Sequence, residues 1–202
     1  SFNREVSIVK EVAELGLGPK LMSVNFSRGE MLLEHIEHEK WGSYYSNEMF
    51  YRSTMIALRT VHNALSKNIG EQSEFSPFRS ILDLGRGLKG KVSWLPDQFD
   101  EALAKVDAIY QKLTPWLQNN AVMCNGDFHK GNVLLSEGKV FLIDWTTAAA
   151  GHPFFDVAKF SLGLSYEDRL SLLGTYLGHE PTIEEKEHFK LIDLTLLVLV
   201  TV

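Results

Sequence analysis

A chain of 202 residues with 45% hydrophobic content can bury a real core, as one large domain or two small ones, which excludes a disordered segment. Its net charge of −6, with no block of like charges, argues against a nucleic-acid or anionic-membrane surface and favours neutral or cationic small-molecule partners. The single cysteine, Cys124, rules out an internal disulfide and points to a packing role in a reducing, cytoplasmic compartment.

The opening stretch SFNREVSIVKEVAEL is helical in pattern, with Val6, Val9, Val12, Ala13 and Leu15 on one side. Gly16 is expected to end this helix, and Gly18-Pro19 to break the chain before PKLMSVNF and EMLLEHI. These two apolar runs, joined by Ser27-Arg28-Gly29, read as a hairpin. Helical spacing returns from Ser46 to Leu65 through Met49, Phe50, Ile56, Leu58, Val61 and Leu65. Residues 68–96 collect Gly70, Pro77, Gly85, Gly87, Gly90 and Pro96 among polar residues and predict irregular structure. A second long helix is expected over 97–113, with Asp97 as its cap, and Thr114-Pro115 restarts it. VLLS and VFLIDW, separated by Glu137-Gly138-Lys139, predict a tight hairpin, and from His152 onward the pattern is helical. Both ends fall inside helical patterns without stop signals, so flanking segments are expected beyond them. The C-terminal run LTLLVLVTV is too short to span a bilayer, and no signal-peptide pattern opens the sequence.

The stretch NGDFHKGN, residues 125–132, stands between the apolar runs AVMC and VLL. Taken alone it is a polar turn, because Asn, Gly and Asp suit turns for local backbone reasons. A second carboxylate gives it chemistry. Asp144 ends VFLID, and a hairpin that starts directly behind Asn132 returns Asp144 towards the loop. Asp127 can then accept a proton from a hydroxyl, while the oxygens of Asn132 and Asp144 suit Mg²⁺, which prefers hard oxygen ligands and keeps phosphates in its shell. Together these are the parts of a phosphoryl-transfer site.

NGDFHKGN followed at hairpin distance by LIDW and then GHPFFDVA resembles the aminoglycoside phosphotransferase and choline kinase superfamily, whose pattern is a [HN]-[GN]-D-x-x-x-x-N loop and an I-D-[WF] segment. REVSIVKEVAELGLGPKL is similar to that family's N-lobe helix and following strand, MLLEHIE to its interlobe hinge, and ALRTVHNAL to its helix with a Val-His pair. The resemblance implies an α+β, protein-kinase-like two-lobed fold. Residues 1–36 would be the remainder of the nucleotide-binding N-lobe and hinge, and 37–202 a mainly helical C-lobe with a catalytic β-hairpin. It implies Asp127 as catalytic base, Asn132 and Asp144 as Mg²⁺ ligands, and Asp156 as a buried carboxylate supporting the loop. ATP would be the co-substrate, with its adenine held by main-chain groups around Glu34, His35 and Ile36. Glu5 would pair with a strand lysine lying upstream of this sequence, without which a chain starting at Ser1 is expected to transfer nothing.

Asn125 stands where many members carry His, a position expected to shape the loop. Four other features of the sequence have their own readings. Gly85, Gly87 and Gly90 have the G-x-G-x-x-G spacing of a phosphate cradle, but no helix start follows them and they lie downstream of the hinge. His35 and His38 lack the i, i+4 spacing and the third ligand of a zinc site, and read as solvated hinge residues. His129 reads as a loop residue bonded to backbone or a carboxylate, and a general-acid role is its lesser alternative. Trp41, Trp94, Trp116 and Trp145 read as core or groove wall, although such rings in an acidic chain can also hold an ammonium. The expected reaction is transfer of the γ-phosphoryl group of ATP to a hydroxyl of an aminoglycoside, choline or similar amino alcohol. A catalytically silent kinase-like binding protein and a metal-dependent phosphohydrolase are the alternatives.

Overall fold

The structure, a computed structural model, describes residues 1–40, 42–66, 77–88, 91 and 98–201. Its elements follow in the order α1 (Phe2–Glu14), β1 (Leu21–Asn25), β2 (Glu30–Leu33), α2 (Glu48–Leu65), α3 (Pro77–Leu88), α4 (Phe99–Asn119) and β3 (Val122–Cys124), then β4 (Val133–Ser136), β5 (Lys139–Leu142), β6 (Ala149–Gly151), α5 (Phe154–Phe160), α6 (Tyr166–Leu177) and α7 (Ile183–Thr201). The strands form three separate antiparallel pairs, β1 with β2, β3 with β6 and β4 with β5.

Each strand pair follows from local chemistry, and each positions something. The β4–β5 turn is the two residues Glu137 and Gly138, both at positive φ (50° and 77°), as a right-twisted two-residue hairpin requires. Its register pairs Ser136 with Lys139 and Val133 with Leu142. Short β3 and β6 bracket this hairpin in sequence and pair Val122 with Gly151 and Cys124 with Ala149. The polar loop therefore leaves one pair and enters the other.

The helices wrap these strands. Phe50, Leu58, Val61 and Leu65 of α2 are buried as expected, whereas Met49 and Ile56 are 66% and 48% exposed and lie off the core stripe. Ile8, Val9 and Val12 of α1 join the same core as Phe128, Val133, Leu142, Trp145, Phe155 and Phe160, so the first helix is packed onto the hairpin layer. Leu142 N–H donates to Leu17 O at 2.7 Å, which ties the end of β5 to the turn after α1.

Two expectations for the middle of the chain are corrected. Pro77–Leu88, expected to be irregular, is helix α3. Gly85 and Gly87 lie within it, so they cradle no phosphate; Gly90 and Trp94 lie outside the described residues, as do Trp41 and Asp97. Gly85 serves packing, because a Cβ there would stand 2.5 Å from Cδ2 of Leu103 on α4. The second correction is that α4 begins at Phe99 behind Gln98 and runs unbroken through Pro115. Proline removes the donor owed to the Gln111 carbonyl, but Gln111 is exposed, where water can take the donor's place. No helix among the described residues is long and apolar enough to cross a membrane.

Candidate active site

The loop 125–132 is held from below by one carboxylate. Asp156, 1% exposed at the start of α5, accepts from the N–H groups of Asn125 at 2.7 Å and Gly126 at 3.1 Å. His62 of α2 places Nε2 3.1 Å from the same carboxylate, and its Nδ1 lies 2.9 Å from the Tyr176 hydroxyl of α6. The loop is thus pinned to three helices through one hydrogen-bonded post. Cys124 also lies within 4.8 Å of His62 and Asp156, but this group is a saturated core and not a metal cage. The Cys124 thiol donates to His152 O at 3.4 Å, and burial, followed by the Asp156 charge, pushes it well above the ordinary thiol range, which suits packing.

Gly126 adopts a φ of 82°, and a Cβ there would come 2.7 Å from Thr147 O, so the loop passes too close to the following turn for any side chain. Asn125 joins the loop to that turn. Its Nδ2 donates to Asp144 O at 2.7 Å and its Oδ1 accepts from Asp127 N–H at 3.1 Å. One side chain therefore connects both acidic residues.

Local hydrogen bonds tie Asn132 to Asp127 and to the residue before Asp144. A single 3₁₀ turn, Lys130–Asn132, brings Asn132 N–H to His129 O at 2.9 Å, and Asn132 Nδ2 donates to Asp127 O at 3.0 Å. That leaves Asn132 Oδ1 as the atom free for a ligand. Ile143 N–H donates to Asn132 O at 3.0 Å, one step past the hairpin register, and so sets Asp144 beside Asn132. Asp144 is exposed and sits at a φ of 58°, an uncommon left-handed conformation for a non-glycine residue. Thr146 donates to its Oδ1 from both N–H and hydroxyl, leaving Oδ2 for a cation. An amide oxygen and a carboxylate oxygen side by side are the hard donors that Mg²⁺ takes, so the residues fit that ion.

Glu5 of α1 lies near enough to Asp144 to feel its charge. Burial, and next the charge of Asp144, push its carboxyl above the ordinary glutamate range. Its neighbour Arg4 donates to Ala148 O at 2.9 Å, anchoring α1 over the turn that carries Asp144. Glu34, His35 and Ile36, the residues expected to form the hinge, follow β2. Glu34 N–H is taken by Lys20 O at 2.8 Å, His35 is exposed with Nε2 3.4 Å from Glu37, and Ile36 is half-buried. Glu39 N–H, further along, donates to Leu135 O at 2.8 Å and lays the hinge exit beside β4. His129 Nδ1 accepts from Gly131 N–H at 3.0 Å, and its Nε2 lies 3.7 Å from Asp127 Oδ2. His38 Nδ1 lies 2.7 Å from Glu39 O.

One group was not foreseen. Lys159, one helical turn after Asp156 on α5, reaches back across the loop and forms an ion pair with Asp127 Oδ1. A groove of about 650 Å³ between α2 and α6, lined by Arg52, Arg59, Glu167 and Lys186, includes none of the loop residues.

The helices and the three short strand pairs, with the loop 125–132 between two of those pairs, make up a mixed α/β, kinase-like fold. The phosphotransferase enzyme family model matches residues 28–185, and the chain belongs to that family. Among solved structures it is similar to a choline/ethanolamine kinase family protein from Mesorhizobium loti, at 17% identity and a TM-score of 0.78 over 99% of this chain and 69% of that one. Choline kinase LicA from Streptococcus pneumoniae matches at 18% identity and a TM-score of 0.71, covering 100% and 71%. An aminoglycoside phosphotransferase from Streptomyces rimosus, solved with ADP and streptomycin, matches at 15% identity and 0.64, covering 96% and 81%. A search of curated proteins finds no match.

Proposed function

We propose that the protein transfers the γ-phosphoryl group of ATP to a hydroxyl of a small molecule in a Mg²⁺-assisted reaction. The observation that carries this reading is the convergence of Asp127, Asn132 and Asp144 on one rim, fixed by the hairpin register and by the Asp156 post. Asp127 accepts the acceptor's proton as the acceptor oxygen bonds to Pγ; the bond from Pγ to the bridging oxygen breaks, and ADP leaves with its electron pair. Asn132 Oδ1 and Asp144 Oδ2 would hold the cation, which supplies charge neutralisation at the β- and γ-phosphates. Residues 1–36 serve as the nucleotide side. With Glu34 N–H committed to Lys20, main-chain contact to a purine falls to His35 and Ile36. Glu5 is placed to orient a phosphate-binding cation near Asp144.

The test is ATP consumption by the full natural chain against panels of amino alcohols, aminoglycosides and sugars, with Asp127→Asn as control. Acceptor-dependent ADP formation that the control lacks supports phosphotransfer. Phosphate release that is independent of every acceptor would instead indicate a hydrolase.

A further inference from the structure

The whole-chain charge favours a neutral or cationic partner, but the surroundings of the proposed base do not favour a cation. Resting on the phosphotransferase reading above, we propose that Lys159 selects the acceptor by charge, so that the substrate is a neutral or anionic hydroxyl compound and not a quaternary or primary ammonium. Two kinds of protein group hold an organic cation, a free carboxylate and an open aromatic face. On the α5 side of this loop one of each is taken by a lysine, while the carboxylates of Asp144 and Glu5 lie on the proposed metal side. The Asp127 carboxylate carries the Lys159 ammonium, and the face of Tyr51 carries that of Lys130, 5.3 Å from the ring centroid.

These groups share one side of the loop. Phe160, next to Lys159, stacks on Phe128, next to Asp127, with centroids 5.3 Å apart, and meets the Tyr51 ring edge-on at 5.7 Å. An acceptor hydroxyl must come within about 2.7 Å of the Asp127 carboxylate to lose its proton. If it uses Oδ1 it lies within two hydrogen-bond lengths of the Lys159 nitrogen. A positive group one or two carbons from that hydroxyl would then face an ammonium that is only partly exposed, 31% for the Lys159 side chain, where screening is incomplete. A carboxylate or phosphate in the same place gains what the cation loses. Like charges at such separations change relative affinity by about tenfold or more.

The experiment measures kcat/KM of the full natural chain with ATP and Mg²⁺ for three acceptor classes: cationic amino alcohols and aminoglycosides, neutral sugars and polyols, and anionic hydroxy acids and sugar acids. The best neutral or anionic acceptor is expected to exceed the best cationic one by about tenfold or more. Lys159→Met should raise cationic relative to anionic acceptors by a similar factor, and Lys159→Arg should keep the wild-type order. Wild-type preference for a cationic acceptor would overturn the proposal, as would a Lys159→Met loss that is equal for all classes, since that marks a role in phosphoryl transfer itself. If no acceptor supports Asp127-dependent ADP formation, the phosphotransferase reading fails, and the charge proposal is still decided by calorimetric binding of the same compounds. Neutral or anionic binders weakened by Lys159→Met sustain it; cationic binders, or none, overturn it.

Discussion

His62 Nε2 stands 3.1 Å from Asp156 Oδ2 with both side chains within 1% of full burial, while the same carboxylate receives the first two N–H groups of the loop 125–132. A helix in the middle of the chain thereby sets the height of the loop through one carboxylate. Asp156→Ala would leave those two buried N–H groups unpaired, at about 1–3 kcal/mol each. Urea unfolding should show that loss, and Asp156→Asn, which retains one acceptor oxygen, should show less. Unchanged stability in both variants would mean that the loop finds other partners.

Asp127 lies on the rim and not in the core, so its replacement separates chemistry from folding. Asp127→Asn should keep the unfolding midpoint near wild type and lower turnover by about 10²–10⁴, the usual scale for a positioned general base. Turnover within a few fold of wild type would remove Asp127 from that role.

The hairpin that returns Asp144 was legible because turn chemistry is local: Glu137-Gly138 between two apolar runs encodes its own geometry. Helix α3 was not, since its glycines read as breakers until Leu103 of α4 is seen packed against Gly85. Strand β6, Ala149–Gly151, has no branched or aromatic residue to mark it and exists because β3 lies opposite. Asn125 was legible as a loop-shaping residue, but not as the link from Asp127 to Asp144, which needs the turn at 144–147 folded back. Lys159 had no signal of its own, because its partner lies 32 residues away and only the packing of α5 beneath the loop joins them.

Buried histidine chemistry predicts a pH dependence. His152 is 2% exposed, its Nδ1 accepts from Phe154 N–H at 3.2 Å, and Trp116 stacks on it at 3.8 Å. Burial first, then the neighbouring His188 and His62, lower its pKa from 6.5 to about 3. The unfolded chain therefore binds a proton that the folded chain refuses. This contribution is complete above about 6.5 and is lost as pH falls towards about 3, at up to ~1.4 kcal/mol per pH unit. His152→Asn, which offers an oxygen to the Phe154 N–H, should flatten the decline in urea midpoint between neutral and mildly acidic pH. Parallel declines in the two proteins would show that His152 charges without unfolding.

The strained turn at Asp144 carries the last prediction. A non-glycine residue at a φ of 58° costs of order 1–3 kcal/mol and persists only where its surroundings hold it, here through Asn125 at its carbonyl and Thr146 at its carboxylate. If that strain serves to aim Oδ2 at a cation, Asp144→Gly should relieve it and abolish turnover together. The variant should then unfold at equal or higher urea than wild type while added Mg²⁺ fails to restore activity. Asn132→Ala loses an amide oxygen and no charge, so it should need more Mg²⁺ and recover much of its rate when given it. Titrating Mg²⁺ against turnover for both variants, beside their urea midpoints, distinguishes the two ligands. An enzyme indifferent to chelator would remove both from the metal site, and a destabilised Asp144→Gly would show that the turn serves folding and not the cation.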